Sequence, residues 1–524
     1  MSIFPKKIDS RIITAIEYAA VAICGCVFVL LSASWVSPIF HDAYGYDSSW
    51  YSMMGRAITQ GMVPYRDYFD LKGPVFFFIE AIGQAFIRGR NGIFLIECIA
   101  AAVSSVFIWK TCLLYVRRWQ ACIILLLTAL VAMGPFWGGN TCEEYMLPFN
   151  YACIYLTLKY LKYGYYDEYS EPALVFGLSF GIMLLSKVTT CAPMAACGVT
   201  VLIVLIRAKL ARLIPGILGY FALGFAIIFI PVCVYFALNG AFNDFIYAAF
   251  IFAYKRGTDY YEKFSYDWEV KMIICYICFL VTLLVPVKRV SRDMYYLKIF
   301  GFILPFLTWA ALHLGTPYDY YFLLTMPSFI FMLLLIFIFW SRPPIYESEE
   351  GDTSGTDENG EVRRPTKKQI WTRKRIRLQR RILWVILMLV VMDHYYIDTK
   401  NKIRENIEIS KRTEDSYVEE CKAVLRYVPK NEWNDIYDLE SGMIFYEVNQ
   451  LLPANQYPVN LPYFMHLNPA IKTNVMNYLD IIKPHYIISE QMDAFDDEDV
   501  KAYVFGHYVL YEDVGAEEIY VRVD

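Results

Sequence analysis

Charged residues in this chain gather where apolar runs begin and end, and several of these gatherings have the composition of a chemical site. The densest is Arg66, Asp67, Asp70 and Lys72, directly ahead of the apolar stretch Pro74 to Ile87. Charges at the mouth of an apolar segment are placed to meet a lipid head group; the plainer reading is a polar loop whose Lys and Arg reach the phosphates of bulk lipid. Upstream of them, Asp47 or Ser48 stands where it can cap a helix. A second gathering is the adjacent pair Glu143 and Glu144, between Gly138/Gly139 and Pro148. Two acids so close to hydrocarbon carry a desolvation penalty, which calls for a partner or a role. Lys255 and Arg256 open a third, beside the tyrosine-rich run DYYEKFSYDW, and His313 with Tyr318, Asp319, Tyr320 and Tyr321 forms a fourth. Aromatics in such loops most often make a membrane belt, and sugar stacking is the sharper alternative.

The elements that must position these residues follow from composition. Of 524 residues, 57% are hydrophobic and 19% charged, against about 25% charged in an ordinary soluble protein, and the mean hydropathy is +0.36. That balance excludes a single soluble domain and disorder, and indicates a polytopic α-helical membrane protein. A net charge of -4 argues against nucleic acid as a partner. Lys6, Lys7 and Arg11 precede an apolar run ending near Val36, longer than a signal-peptide core, so it reads as a retained first span. Further spans are expected at 92–114, 120–138, 147–163, 172–187, 191–206, 213–238, 269–287, 295–312, 321–340 and 382–397. Most cysteines fall inside these runs, where they act as small hydrophobes; no disulfide framework or zinc spacing is visible.

Pro74 to Ile87 decides the topology. Its 14 residues reach about 21 Å as a helix, short of the ~30 Å hydrocarbon core. If it does not cross, Arg117/Arg118, Arg207/Lys209/Arg212, Lys288/Arg289/Arg292 and the run Arg363–Arg381 all share a side with Lys6/Lys7, the positive-inside arrangement. It is therefore read as a half-inserted or interfacial helix. That gives about eleven spans in the plasma membrane, with the N-terminus inside and the C-terminus outside.

The organisation that results is a transmembrane region 1–340 with a first outer loop 37–91, a cytoplasmic linker 341–381, a last span 382–397, and a small outer domain 398–524. In the outer loop, Trp50, Met53, Met54, Ala57 and Ile58 fall on one helical face, with Ser52, Arg56, Thr59 and Gln60 elsewhere. That pattern predicts an amphipathic interfacial helix, ended by Gly61. The linker is acidic (YESEEGDTSGTDENGE), then basic (RRPTKKQIWTRKRIRLQRR), and its second half suits anionic membrane lipid. From Thr399 the composition is that of a soluble protein, with strand-length runs at 435–439, 485–489, 507–511 and 518–523 alternating with helical patterns at 441–452, 468–482 and 496–504. This is an α/β signature. The acids 496–499 lack calcium-loop spacing and are read as helix-start acids favoured by the dipole.

An acid early in the first outer loop, then R-D-Y-F-D-L-K-G-P and a short apolar helix, then G-G-N-T-C-E-E-Y-M-L-P-F near the end of the third span: this arrangement resembles the GT-C superfamily of integral membrane glycosyltransferases. It is closest to the bacterial group related to protein O-mannosyltransferases and the lipid A aminoarabinose transferase. The resemblance covers roughly residues 10–400 and implies a polyprenyl-phosphate-linked sugar donor and a glycan, lipid or protein acceptor. It also implies that Asp47 is the general base, that Lys72 helps hold the donor phosphate, and that Glu143 or Glu144 is the second-loop acid. Here the lysine stands in Lys-Gly-Pro rather than Lys-Pro, and Ser48 follows Asp47 where eukaryotic-type relatives have a second acid. Arg66, Asp67, Asp70, Lys255, Arg256, His313 and Tyr320 complete the substrate-binding candidates. A lipid-monophosphate leaving group can be met by Lys and Arg, so no cofactor is required, although the acids leave room for a divalent metal. The rival readings are a transporter or flippase of lipid-linked sugars, which calls for charges at mid-span and repeat symmetry, and a polymerase or ligase using a diphosphate leaving group. Glu17, Glu80 and Glu97 are the near-membrane acids in the first quarter of the chain, and no repeat is visible.

Overall fold

The computed structural model describes residues 10–164, 170–255, 269, 272–284, 292–314, 318–341, 367–412, 415–439, 442–458 and 461–523. The first span, α1 (Ser10–Ser32), leads into the long first loop and its two helices α2 (Tyr46–Thr59) and α3 (Pro74–Phe86). The bundle continues with α4 (Arg90–Leu113), α5 (Arg118–Ala132), α6 (Cys142–Tyr163), α7 (Ser170–Leu184), α8 (Ala192–Arg207) and α9 (Ile214–Leu238). After the short α10 (Phe242–Ile246) come α11 (Ile273–Leu284), α12 (Arg292–Leu312), α13 (Met326–Ser341) and the 44-residue α14 (Lys367–Ser410). Six stretches among the described residues are long and apolar enough to cross a membrane, and 74–86, 118–132, 171–184 and 273–284 are apolar but shorter. The stretch Asp319–Ile338 forms the centre, with 89% of its apolar window buried, whereas α1 buries 17%.

The ends of the bundle are marked by contacts. At one end Arg118 pairs with Glu17 of α1 at 2.7 Å. At the other, α14 does not stop at 397 as its apolar run suggested. It continues as a rod, about 66 Å long at 1.5 Å per residue. Its extension is pinned by Thr399 to Leu130 O (2.9 Å), Lys402 to Trp137 O (3.0 Å) and Asn406 to Leu31 O (3.0 Å).

The α/β character expected for the C-terminal part is present. α15 (Ser416–Tyr427) precedes β1 (Ile436–Asp438); α16 (Gly442–Val448), α17 (Leu461–Leu467) and α18 (Pro469–Ile481) lead to β2 (Tyr486–Ser489); α19 (Glu498–His507) leads to β3 (Tyr508–Val514) and β4 (Glu517–Arg522). The sheet order is β1-β2-β4-β3, with β1 and β2 parallel and the other pairs antiparallel. A parallel pair needs a long crossover, which the three helices between β1 and β2 supply. Asp497 caps α19 by accepting from the N–H groups of Asp499 and Val500, and Lys472 pairs with Asp497 and Asp499. This places Asp499 and Glu498 in the helix's first turn, as its dipole favours.

The structure alters two expectations for α2. Its N-cap is Gly45, not Asp47 or Ser48; Asp47 lies in the first turn. Of its polar residues, Thr59 and Gln60 are exposed, but Ser52 and Arg56 face neither water nor head groups. Ser52 and Arg56 are buried against the outer domain, where Arg56 pairs with Glu447 of α16 at 2.5 Å and donates to Tyr446 O and Leu451 O, while Ser52 donates to Glu447. The following loop is clamped as well: Tyr68 donates to Pro453 O, Phe69 N to Gln456 O, and Gln456 to Tyr65 O. Glu447→Ala leaves the Arg56 guanidinium buried without its carboxylate, a loss of about 3–5 kcal/mol. Chemical denaturation of the protein in nanodiscs is expected to show it, and an R56M/E447L pair to recover most of it. Wild-type stability in Glu447→Ala would mean that water reaches the pair.

Candidate functional site

Lys72 and Lys187, 115 residues apart in sequence, are joined through their backbones. Gly73 N–H donates to Ser186 O (2.8 Å) and Val75 N–H to Leu185 O (2.9 Å). Gly73 is the N-cap of α3 and Pro74 its first residue, a position where proline's missing N–H costs nothing. A Cβ on residue 73 would stand 2.1 Å from Leu185 O. The glycine between Lys72 and Pro74 is therefore what allows the two segments to touch. Lys187 follows α7 and immediately precedes the 3-10 turn Val188–Cys191 that opens into α8.

Each lysine is held by a different set of neighbours. Lys72 Nζ donates to the Tyr51 hydroxyl at 2.5 Å and lies 4.7 Å from that ring's centroid. Asp70 fixes the turn around it, accepting from Trp50 Nε1 (2.5 Å) and from the Lys72 N–H (2.6 Å); Tyr65 donates to Lys72 O. Burial, with the Asp47 and Asp70 carboxylates nearby, pushes the Tyr51 hydroxyl well above its usual range, so it stays a neutral phenol and leaves the Lys72 charge uncancelled. Lys187 forms an ion pair with Glu143 and sits 3.4 Å from the centroid of the Tyr321 ring and 5.3 Å from that of Tyr320. Burial alone would push Lys187 down, but Glu143 and Tyr321 hold it above the ordinary lysine range. Asp47, in the first turn of α2, accepts a 3.4 Å hydrogen bond from Tyr320. Asp47, Tyr51, Lys72, Glu143, Lys187 and Tyr320 thus come from five separate segments to one end of the bundle.

The neighbouring acids part company here. Glu143 turns to Lys187, while Glu144 turns into the protein, accepting from the Asn140 N–H and from Thr141 Oγ1. The Asn140 N–H also donates to Glu97, and its side chain donates to Ser48 and accepts from Tyr145. Asn140 therefore ties α4 and α6 to the residue beside Asp47. Arg66 pairs with Asp67 (2.7 Å) and donates to Asn239 O. Asp67 also accepts from the Val63 N–H; together they shape the loop. Lys255 donates to Leu467 O of the outer domain, and His313 contacts Glu269 and Trp309 O. Arg256 lies outside the described residues. Among the described residues, no three His, Cys, Asp or Glu side chains converge in a way that could hold a metal ion.

Sequence reasoning missed Lys187, Tyr51, Asn140 and Trp137. Lys187 had a usable signal, a lone cation at the end of the expected span 172–187, where an ionisable group is costly unless it has a role. Asn140 stood inside the motif G-G-N-T without being singled out, and Tyr51 had no signal, since its importance arises from partners distant in sequence.

Comparison with known proteins bears on the fold and on one stretch of the chain. The family model for dolichyl-phosphate-mannose-protein mannosyltransferase matches residues 72–235, a stretch that begins at Lys72 and contains Glu143, Glu144 and Lys187. No curated protein sequence matches the chain. Among solved structures, ArnT from Cupriavidus metallidurans bound to undecaprenyl phosphate is similar with a TM-score of 0.57 at 10% identity, covering 97% of this chain and 98% of the other. The same protein in the apo state gives a TM-score of 0.55 with the same identity and coverage. At this identity the likeness is one of fold, and it extends through the membrane part and the outer domain alike.

Because the joint at Gly73 has no room for a methyl group, Gly73→Ala is expected to destabilise the protein by about 1–3 kcal/mol, as overpacking does. A thermal melt in nanodiscs reads this directly. An unchanged melting temperature would show that the two segments can separate without cost.

Proposed function

We propose that this chain is a GT-C-type multi-pass membrane glycosyltransferase, one that takes a sugar from a polyprenyl-phosphate donor and passes it to a hydroxyl of a glycan, lipid or protein acceptor at the outer face of the plasma membrane. The observation that carries the proposal is the pairing of the Lys72 and Lys187 segments beside Asp47. Two cations at a bilayer surface suit a lipid-linked phosphate, whose negative charge they would meet. The undecaprenyl phosphate bound to ArnT supports the donor class.

In this reading the acceptor oxygen attacks the anomeric carbon as the bond from that carbon to the phosphate oxygen breaks. The electron pair leaves with polyprenyl phosphate, where Lys72 and Lys187 stabilise the growing negative charge. The acceptor proton passes to Asp47, a carboxylate adequate as base for a hydroxyl whose acidity rises during attack. A single displacement inverts the anomeric centre. Glu143 keeps Lys187 charged and aimed, and Tyr51 aims Lys72 without adding a negative charge. Asp70, Arg66 and Asp67 shape the loop. The clusters Arg117/Arg118, Arg207/Lys209/Arg212, Lys288/Arg289/Arg292 and Arg363–Arg381 support an N-terminus inside, with the site and the C-terminal domain outside. Charged groups concentrated at one end of the bundle favour transfer over translocation.

The test is release of free polyprenyl phosphate by the purified protein in nanodiscs, offered a panel of polyprenyl-phosphate sugars with a surface-glycan extract. Asp47→Asn is expected to lower turnover about 10²–10⁴-fold with donor binding retained. Lys72→Ala and Lys187→Met are each expected to lower it about 10²–10³-fold and to weaken donor binding. Wild-type turnover by Asp47→Asn would remove the base assignment. Intact passage of lipid-linked sugar across proteoliposomes, without release of the phosphate, would replace transfer with transport.

A further inference from the structure

Residues 137–140 form the longest run of positive φ among the described residues. Trp137 (φ 53°), Gly138 (φ 143°), Gly139 (φ 92°) and Asn140 (φ 60°) all lie at positive φ, in succession. For glycine this is ordinary, but for tryptophan it is costly, and such strain persists only where the surroundings impose it. They do so here: Lys402 donates to Trp137 O, Trp35 N–H donates to Gly138 O, and Asn140 is bound to Glu97, Glu144 and Ser48. The result of this bracing is the placement of one large ring. Trp137 remains 38% exposed. It stacks on Tyr320 at 5.1 Å and 17°, and Tyr320 stacks in turn on Tyr318 at 5.5 Å and 11°. Trp35 stands against its side at 5.5 Å. Tyr320 is the residue whose hydroxyl meets Asp47.

We infer that Trp137 is a platform for the sugar ring of the acceptor, holding a glycan so that one of its hydroxyls reaches Asp47. This rests on the transfer reading above and narrows its acceptor to a carbohydrate. An indole offers a broad, rigid, apolar face at low entropic cost, which matches the C–H face of a sugar ring and leaves that sugar's hydroxyls free for other partners. The platform belongs to the acceptor and not to the donor sugar because the stack runs from Trp137 through Tyr320 to the base. The two lysines that would hold the donor phosphate lie against Tyr51, Glu143 and Tyr321, with Lys187 5.3 Å from the Tyr320 centroid, while Trp137 covers a face of that same ring.

Two measurements test this, one of them independent of turnover. Saturation-transfer NMR of the full-length protein in nanodiscs, with maltotriose, cellotriose, mannotriose and chitotriose as probes, is expected to show binding by the wild type. Trp137→Phe should bind within about threefold and Trp137→Leu about tenfold more weakly. In the transfer assay, Trp137→Leu is expected to raise the acceptor KM about tenfold while the donor KM stays within about twofold. Binding of no probe by the wild type, or equal binding by wild type and Trp137→Leu, overturns the platform. The second result, together with a changed depth of residue 137 by brominated-lipid quenching, would make Trp137 an interfacial anchor. A raised donor KM with an unchanged acceptor KM would move the platform to the donor sugar. If saccharides bind through Trp137 but no polyprenyl phosphate is released, the transfer reading fails while the sugar site stands.

Discussion

The central constraint is the short backbone pairing of Gly73 and Val75 with Ser186 and Leu185. It joins the backbone segments that carry two lysines from distant parts of the chain, and like charges brought to one region repel. The arrangement holds because each charge has its own compensation. Glu143 neutralises Lys187, the Tyr51 hydroxyl and ring solvate Lys72, and the Asp70 carboxylate fixes the turn that carries it. What remains is a region in which each cation is held in place by its own partner, Lys187 by Glu143 and Lys72 by Tyr51.

The outer domain is part of this arrangement. Through Glu447 it buries the guanidinium of Arg56, and through Pro453 and Gln456 it fixes the segment 65–69 that leads to Lys72. Its N-terminal rod, the extension of α14, braces the loop that carries Trp137. A domain that looks separable by composition is thus mechanically continuous with the site. The amphipathic pattern of α2 predicted a helix lying in the membrane interface, with Ser52 and Arg56 off its apolar face. Arg56 instead meets a carboxylate 391 residues away, because a buried arginine needs a partner that local periodicity cannot announce.

Among particular residues, legibility tracked locality. Lys72 and Asp47 were identified from short motifs and are both in the site. Arg66 and Asp67 came from the same motif and serve the loop, because a charge next to its opposite in sequence satisfies itself locally. The pair Glu143 and Glu144 looked equivalent, yet successive residues on a helix point about 100° apart, so one reaches Lys187 and the other turns inward to Asn140. Lys255 and His313 are taken up by Leu467 O and Glu269.

By itself, the sequence determined the solvent, the succession of helices, the short α3 and the α/β character of the last 125 or so residues. These depend on hydropathy and on periodicity over one or two turns, which any sufficiently long apolar run must satisfy in lipid. It also determined that charge gathers at the segment ends. Only the tertiary structure decided which of those charges meet, that Lys187 joins Lys72, that Glu143 and not Glu144 faces it, and that Trp137 is held in a strained backbone above Tyr320. Such choices depend on hydrogen bonds and ion pairs between segments far apart in the chain. In a medium where no water can satisfy a polar group left over, those pairings follow from how the helices pack.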